Sequence, residues 1–199
     1  MSLNGAVSAY TRLTLTDHAG AVFDPDRVYR YLLWREWDNP YPYQHGETPV
    51  AVALGPKAPS ICFIMLNPST ADESDDDPTL RRCIGFARRW GYKRLEVVNL
   101  YAVRSTDPSG ILDSNDPIGR LGDQAIVESS ARCELVVCAW GADVLGRDRG
   151  EQVLDKVWPL HASLWAVGLT AKGAPRHPLY AKYTNAPVIY RGAGPWRRP

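Results

Sequence analysis

The chain has 199 residues, 45% hydrophobic and 10% aromatic, and 23 Lys and Arg against 22 Asp and Glu give a formal net charge of +1. That length fits one α/β domain with a substantial core, spanning 1–199. The near-neutral charge excludes a global electrostatic grip on nucleic acid and leaves room only for a local basic patch.

The first twenty residues carry neither the basic nor the apolar region of a signal peptide, and no apolar run approaches the length of a membrane span. Four cysteines, Cys62, Cys83, Cys133 and Cys138, show no CxxC or Cys–His spacing. They read as reduced core residues of a cytoplasmic protein.

Residues 6–15 and 28–37 (VYRYLLWREW) are expected to form an N-terminal β-ribbon, with Asp-His-Ala-Gly and Asp-Pro-Asp between them. Residues 38–60 are rich in Pro and Gly and read as loop, with a short strand near Val50 to Leu54. Ribbon and loop thus occupy 6–59, ahead of a core at 60–190 and a loose tail at 191–199.

A regular alternation then begins. Ser60–Leu66 reads as a buried strand, and Thr79–Trp90 as a helix with Leu80, Cys83 or Ile84, and Ala87 on one face. Phe86 falls within that helix pattern, and Arg81, Arg82, Arg88 and Arg89 lie on its other faces. Asp77-Pro78 supplies an N-cap and a proline at the first helical position, and Gly91 a stop. Strands follow at Leu95–Tyr101, Glu134–Trp140 and Ser163–Leu169, and helices at Ile118–Cys133 and Arg147–Leu160. The spacing predicts crossover units and a parallel four-stranded sheet with helices on both faces, a three-layer αβα core.

In such a sheet, ligands bind beyond the carboxyl ends of the strands. The first strand ends in Asn67-Pro68-Ser69-Thr70, the second in Asn99-Leu100-Tyr101 and the third in Trp140-Gly141. The fourth leads through Gly168–Gly173 into Arg176-His177-Pro178-Leu179-Tyr180. The first three have plain alternatives. Asn67 before Pro is a common turn residue, Asn99 is a strand cap, and Trp140 is core packing. His18, His45 and His161 show no partner pattern. The acidic residues Asp72, Glu73, Asp75, Asp76 and Asp77 suit the positive end of the following helix, with a divalent cation as the alternative; they do not match an EF-hand loop.

The segments MLNPSTAD, DPTLRR, NLYAVRSTDP, DPIG, CAWG and GAPRHPLY resemble a bacterial and phage family, domain of unknown function 1643, over roughly residues 28–190. That likeness implies no activity. The order strand-Asn-Pro, strand-Asn, strand-Trp-Gly, strand-His-Pro more remotely resembles the uracil-DNA glycosylase superfamily. That likeness implies a four-stranded parallel sheet flanked by helices. It gives Asn67 the role of positioning a water, Asn99 the reading of a base edge, and His177 that of electrophile. Leu179 and Tyr180 would then belong to a minor-groove loop. The chain departs from the pattern in three places. Met65 stands where a small residue is usual, Leu179-Tyr180 where Ser-Pro is usual, and no aromatic clearly corresponds to the one that stacks on the base.

Three functions follow as expectations. One is an N-glycosidase removing a modified base from DNA or a nucleotide. In it Asn67 and His177 act on the bond, with Pro68, Ser69, Asn99, Tyr101, Trp140, Gly141, Arg176, Leu179 and Tyr180 around the substrate. Arg104, Lys172 and Lys182 are further phosphate contacts. The second is a non-catalytic nucleotide or nucleic-acid binding module of the same fold. The third is a metal-dependent hydrolase using the carboxylates at 72–77. Neither of the first two calls for a cofactor or a metal.

Overall fold

The computed structural model describes residues 18–37, 59–183 and 186–192. Seven strands and three helices follow in chain order: β1 Ala19–Phe23, β2 Arg30–Glu36, β3 Ser60–Met65, α1 Pro78–Arg89, β4 Arg94–Asn99, α2 Gly122–Arg132, β5 Leu135–Cys138, α3 Val144–Val157, β6 Ser163–Ala166 and β7 Val188–Gly192. They build one mixed seven-stranded sheet in the order β1-β2-β4-β3-β5-β6-β7. Pairing is parallel between β3 and β4, β3 and β5, and β5 and β6, and antiparallel between β1 and β2, β2 and β4, and β6 and β7.

The continuous apolar run of β3 explains its central place. Alternate residues face opposite ways. Ile61, Phe63 and Met65 pack with Leu80, Cys83 and Phe86 of α1. Cys62, Ile64 and Leu66 pack with Ala125 and Ile126 of α2 and Val153 and Val157 of α3. Helices therefore cover both faces, and each fully buried large side chain contributes about 1.5–3 kcal/mol. The four cysteines are free and buried within these two layers.

Helix α1 starts as its sequence predicts. The Asp77 carboxylate accepts from the Leu80 N–H at 2.7 Å, and Pro78 occupies the first turn. The helix ends at Trp90, followed by Gly91 at φ 91°. Trp90 stacks against Phe63 and lies 5.3 Å from the Phe86 ring.

Several expectations need correction. The sheet has seven strands rather than four, because antiparallel strands extend it at both edges. The N-terminal hairpin is no separate ribbon, since β2 pairs directly with β4. Its first strand is Ala19–Phe23, where a turn was expected. Gly20 looks like a turn signal but serves packing: a Cβ there would lie 2.3 Å from the Trp34 indole. Residues 6–15 and Val50 to Leu54 lie outside the described residues. At the other edge β7 runs through Arg191 and Gly192, where the loose tail was expected to begin.

One buried charge ties the sheet to α2. Glu96 of β4 accepts from Arg94 at 3.2 Å and from Arg132 at 2.9 Å. Arg94 also reaches Glu36 of β2 at 2.9 Å. No helix among the described residues is long and apolar enough to cross a membrane. Glu96→Ala leaves two guanidinium groups short of their shared anion. We expect it to lower the unfolding free energy by about 3 kcal/mol in chemical denaturation. A loss under about 1 kcal/mol would show that this network does not brace the sheet.

Candidate functional site

Strand β3 sends its chain toward β4 on one side, whereas β5 sends its chain toward β6 on the other. The crevice between their carboxyl ends is the switch point at which open α/β sheets bind ligands. A cavity of about 680 Å³ opens there, inside the range of small-molecule sites, about 300–1,000 Å³. Leu33, Met65, Val97, Leu80 and Cys83 give it apolar walls between the sheet and α1.

Nine of the eleven residues expected at the site line this cavity: Asn67, Ser69, Asn99, Trp140, Gly141, Arg176, His177, Leu179 and Tyr180. Pro68 and Tyr101 do not. The Pro68 carbonyl accepts from the Ser105 N–H at 2.9 Å, and the Tyr101 hydroxyl donates to the Leu145 carbonyl at 2.9 Å. Arg104 lies elsewhere, donating to the Arg27 carbonyl and stacked over Phe23. Lys172 lines a neighbouring cavity that shares Trp140–Asp143 with the first. Lys182 is exposed and lines neither.

Asn99, the last residue of β4, is the most informative group. It is only 3% exposed, and neither its Oδ1 nor its Nδ2 has a hydrogen-bond partner. It pairs in register with Met65, so both stand at the same carboxyl edge. Leaving a buried polar group unpaired costs about 1–3 kcal/mol, yet the chain beside it is firmly held. Arg149 of α3, itself buried, donates from Nε to the Leu100 carbonyl at 3.1 Å and pairs with Asp123 of α2.

Asn67 is bound on one side. Its Nδ2 donates to the Ser105 carbonyl at 2.8 Å and the Pro68 carbonyl at 3.1 Å. The amide thereby locks the loop after β3 to the loop after β4. Trp140 is buried core: its indole meets Tyr190 edge-on at 5.7 Å and packs against Gly150 of α3. Gly141 adopts φ 88°, a conformation that favours glycine, and a Cβ there would sit 3.6 Å from the His177 Cβ.

His177 opens the short 3₁₀ turn Pro178–Tyr180, and its Nδ1 accepts from the Leu179 N–H at 3.4 Å. With Nδ1 as acceptor, the neutral ring carries its proton on Nε2. Burial pushes its pKa below the ordinary value, against a smaller opposing pull from Asp77. Arg82 of α1, which the sequence pattern placed away from the helix's apolar face, pins this turn. Its Nε donates to the Pro178 carbonyl at 3.2 Å, and its Nη2 donates to the Ala181 carbonyl. Its guanidinium also lies 3.8 Å over the Tyr183 ring. At the mouth, Leu179 is 41% and Tyr180 78% exposed.

The acidic segment is committed to local contacts, although Asp77 also lines the cavity. Asp72 caps the Ser74 and Asp75 N–H groups, Glu73 pairs with Arg27, Asp76 pairs with Arg35, and Asp77 caps α1. Among the described residues no three His, Cys, Asp or Glu side chains converge as a metal site would require. A residue not foreseen in the sequence also lines the cavity: Arg30 of β2, 4% exposed. Its only signal was a basic residue ahead of the apolar run Tyr31–Trp34.

The chain matches the model of the family described as "Protein of unknown function (DUF1643)" over residues 30–179, and it belongs to that family. No curated protein and no solved structure matches it.

Two outcomes test the site's physics. Asn99→Leu replaces an unpaired buried amide by an apolar group of similar size. We expect it to stabilise the protein by about 1 kcal/mol, raising Tm by about 2–4 °C; a lowered Tm would mean that the amide is bonded in the native state. Followed by NMR, the His177 ring should titrate below the ordinary 6.5 or so. Because the unfolded chain then takes up this proton first, the group removes stability as pH falls below that ordinary value. A midpoint at or above 6.5 would contradict the burial argument.

Proposed function

We propose that the cavity is a nucleobase site and that the protein is an N-glycosidase, cleaving a modified base from its sugar in nucleic acid or in a nucleotide. The observation that carries this reading is Asn99. A buried amide with donor and acceptor both open complements the amide edge of a base, which offers an acceptor and a donor side by side. Apolar walls such as Leu33, Met65 and Val97 suit the faces of a flat heterocycle.

In hydrolysis, water adds to the anomeric carbon. The base departs with the electron pair of the broken bond and takes up the proton that the water releases. Negative charge grows on the base as it leaves, so a donor fixed toward its oxygen lowers the barrier. His177 fits this role, being neutral with its proton on Nε2. Asn67, whose Nδ2 is held by Ser105 and Pro68, keeps Oδ1 as an acceptor for the water. It lacks the basicity of a carboxylate, so its part is to position the water. Arg176 at the cavity, and Lys172 beyond it, would contact phosphate oxygens. Leu179 and Tyr180 at the mouth would contact whatever carries the base.

A non-catalytic nucleotide-binding module of the same fold is the second reading. It is favoured by the commitment of the Asn67 amide to the backbone and by Met65 in the cavity wall. One experiment separates the two. Base release is followed from oligonucleotides and nucleotides carrying uracil, hypoxanthine, alkylated or hydroxymethylated bases. The glycosidase reading expects release by the wild type and a loss of about 10²–10³ in rate for His177→Ala. Binding without release, sensitive to Asn99→Leu, would leave the binding module. Neither release nor binding by a folded protein would end both.

A further inference from the structure

Arg30 has the environment of an anion receptor. The side chain is 4% exposed and lines the cavity. Its Nη1 donates to the Ala71 carbonyl at 2.7 Å, and its Nε has no partner. Among the described residues, no carboxylate lies within salt-bridge distance of it. The charges that act on it from a distance are Asp77 and Asp72, which attract, and Arg104 and Arg35, which repel. Burial dominates and lowers its pKa to about 10, so the group remains a cation at neutral pH.

None of those carboxylates forms an ion pair with it. Asp77 caps α1, Asp72 caps the turn at 74–75, and Arg35 holds Asp76. A buried charge without a close counter-ion is costly, and an anion from outside would offset that cost. The same cavity holds groups suited to one. Ser69 and Thr79 line the same cavity, and so does the start of α1 at Pro78. That is the positive end of a 12-residue helix, capped by the Asp77 carboxylate that lines the cavity too. A guanidinium and hydroxyl groups are the groups that hold phosphate oxygens.

We propose that Arg30 binds a terminal phosphate of the substrate, so that the cavity takes a free nucleotide with its base on Asn99 and its phosphate on Arg30. The base half rests on the nucleobase reading above, whereas the phosphate half rests on Arg30 independently. A phosphodiester inside a strand continues in both directions, and both arms would have to pass through the cavity to reach a guanidinium this buried. A terminal phosphate ends there. Arg30 and Asn99 stand at the same end of the sheet, for the Arg30 N–H donates to the Ala102 carbonyl, three residues beyond Asn99.

The test compares binding of inorganic phosphate, uracil and hypoxanthine nucleosides, their 5′- and 3′-monophosphates, and single-stranded oligonucleotides carrying the same bases. Binding is measured by calorimetry and thermal shift on the wild type, Arg30→Met, Arg30→Lys and Asn99→Leu. The inference expects a monophosphate to bind at least tenfold more tightly than its nucleoside. Arg30→Met should erase that difference, and Arg30→Lys, which keeps the charge without the planar fork, should retain part of it. Inorganic phosphate should raise the Tm of the wild type but not of Arg30→Met.

Equal affinity for nucleoside and nucleotide, with no effect of phosphate, would overturn the inference and leave the base reading intact. Arg30-dependent phosphate binding that no base improves and Asn99→Leu does not alter would support the anion site and remove the base reading. Tighter, Arg30-dependent binding of an oligonucleotide than of either monophosphate would overturn the assignment to a free nucleotide. Should Arg30→Met fail to fold, Arg30→Lys decides alone, and an unchanged nucleotide preference in it would count against the bidentate contact.

Discussion

A buried side-chain amide with neither end bonded is a cost that folding does not need to bear. Asn99 carries it at the carboxyl end of β4, where the parallel strands deliver their ends to one edge. The surrounding contacts do not let the group relax. Its strand is paired on both sides, the next carbonyl is held by Arg149, and Leu33, Met65 and Val97 of the same cavity are apolar. A polar group kept open under those conditions is arranged for something that enters the cavity. The cavity exists because the chain diverges at β3 and β5, so the same topology explains both the space and the group that faces it.

The loops around this edge are held by specific side chains. Asn67 binds the loop after β3 to Ser105 in the loop after β4. Arg82 reaches from α1 to two carbonyls of the turn after His177, which itself caps that turn through Nδ1. Gly141 permits the backbone conformation that brings the end of the third parallel strand close to His177. Such fixation from packed elements gives a site its precision, since groups that need not reorganise on binding interact more strongly with what arrives.

Much of this was legible in the sequence for identifiable reasons. The runs ICFIML and ELVVCAW are apolar without interruption, and only strands buried on both faces require that. Asp77-Pro78 marks the start of α1 through two local rules that tertiary context did not override. Reading the polar residues after each strand reached nine residues of the cavity lining, because topology alone carries those residues to one edge. What stayed hidden depends on contacts between segments far apart in the chain. Arg30 reaches the cavity only because β2 pairs with β4, and nothing local specifies that pairing. Gly20 mimics a turn and is a contact for Trp34. Tyr101 carries the right residue type at a strand end, but its hydroxyl is held by Leu145 outside the cavity. The four helix arginines look alike in the pattern, yet it is contact across the fold that brings Arg82 to the turn that follows His177.

The central claim is that the Asn99 amide is open in the free protein and receives a base edge. The most direct measurement is the position of its side-chain NH₂ resonances by NMR, without and with saturating nucleotide. The account predicts values typical of an unbonded amide in the free protein and a downfield shift on binding. Resonances already downfield in the free protein, or unmoved by a nucleotide that binds, would contradict it.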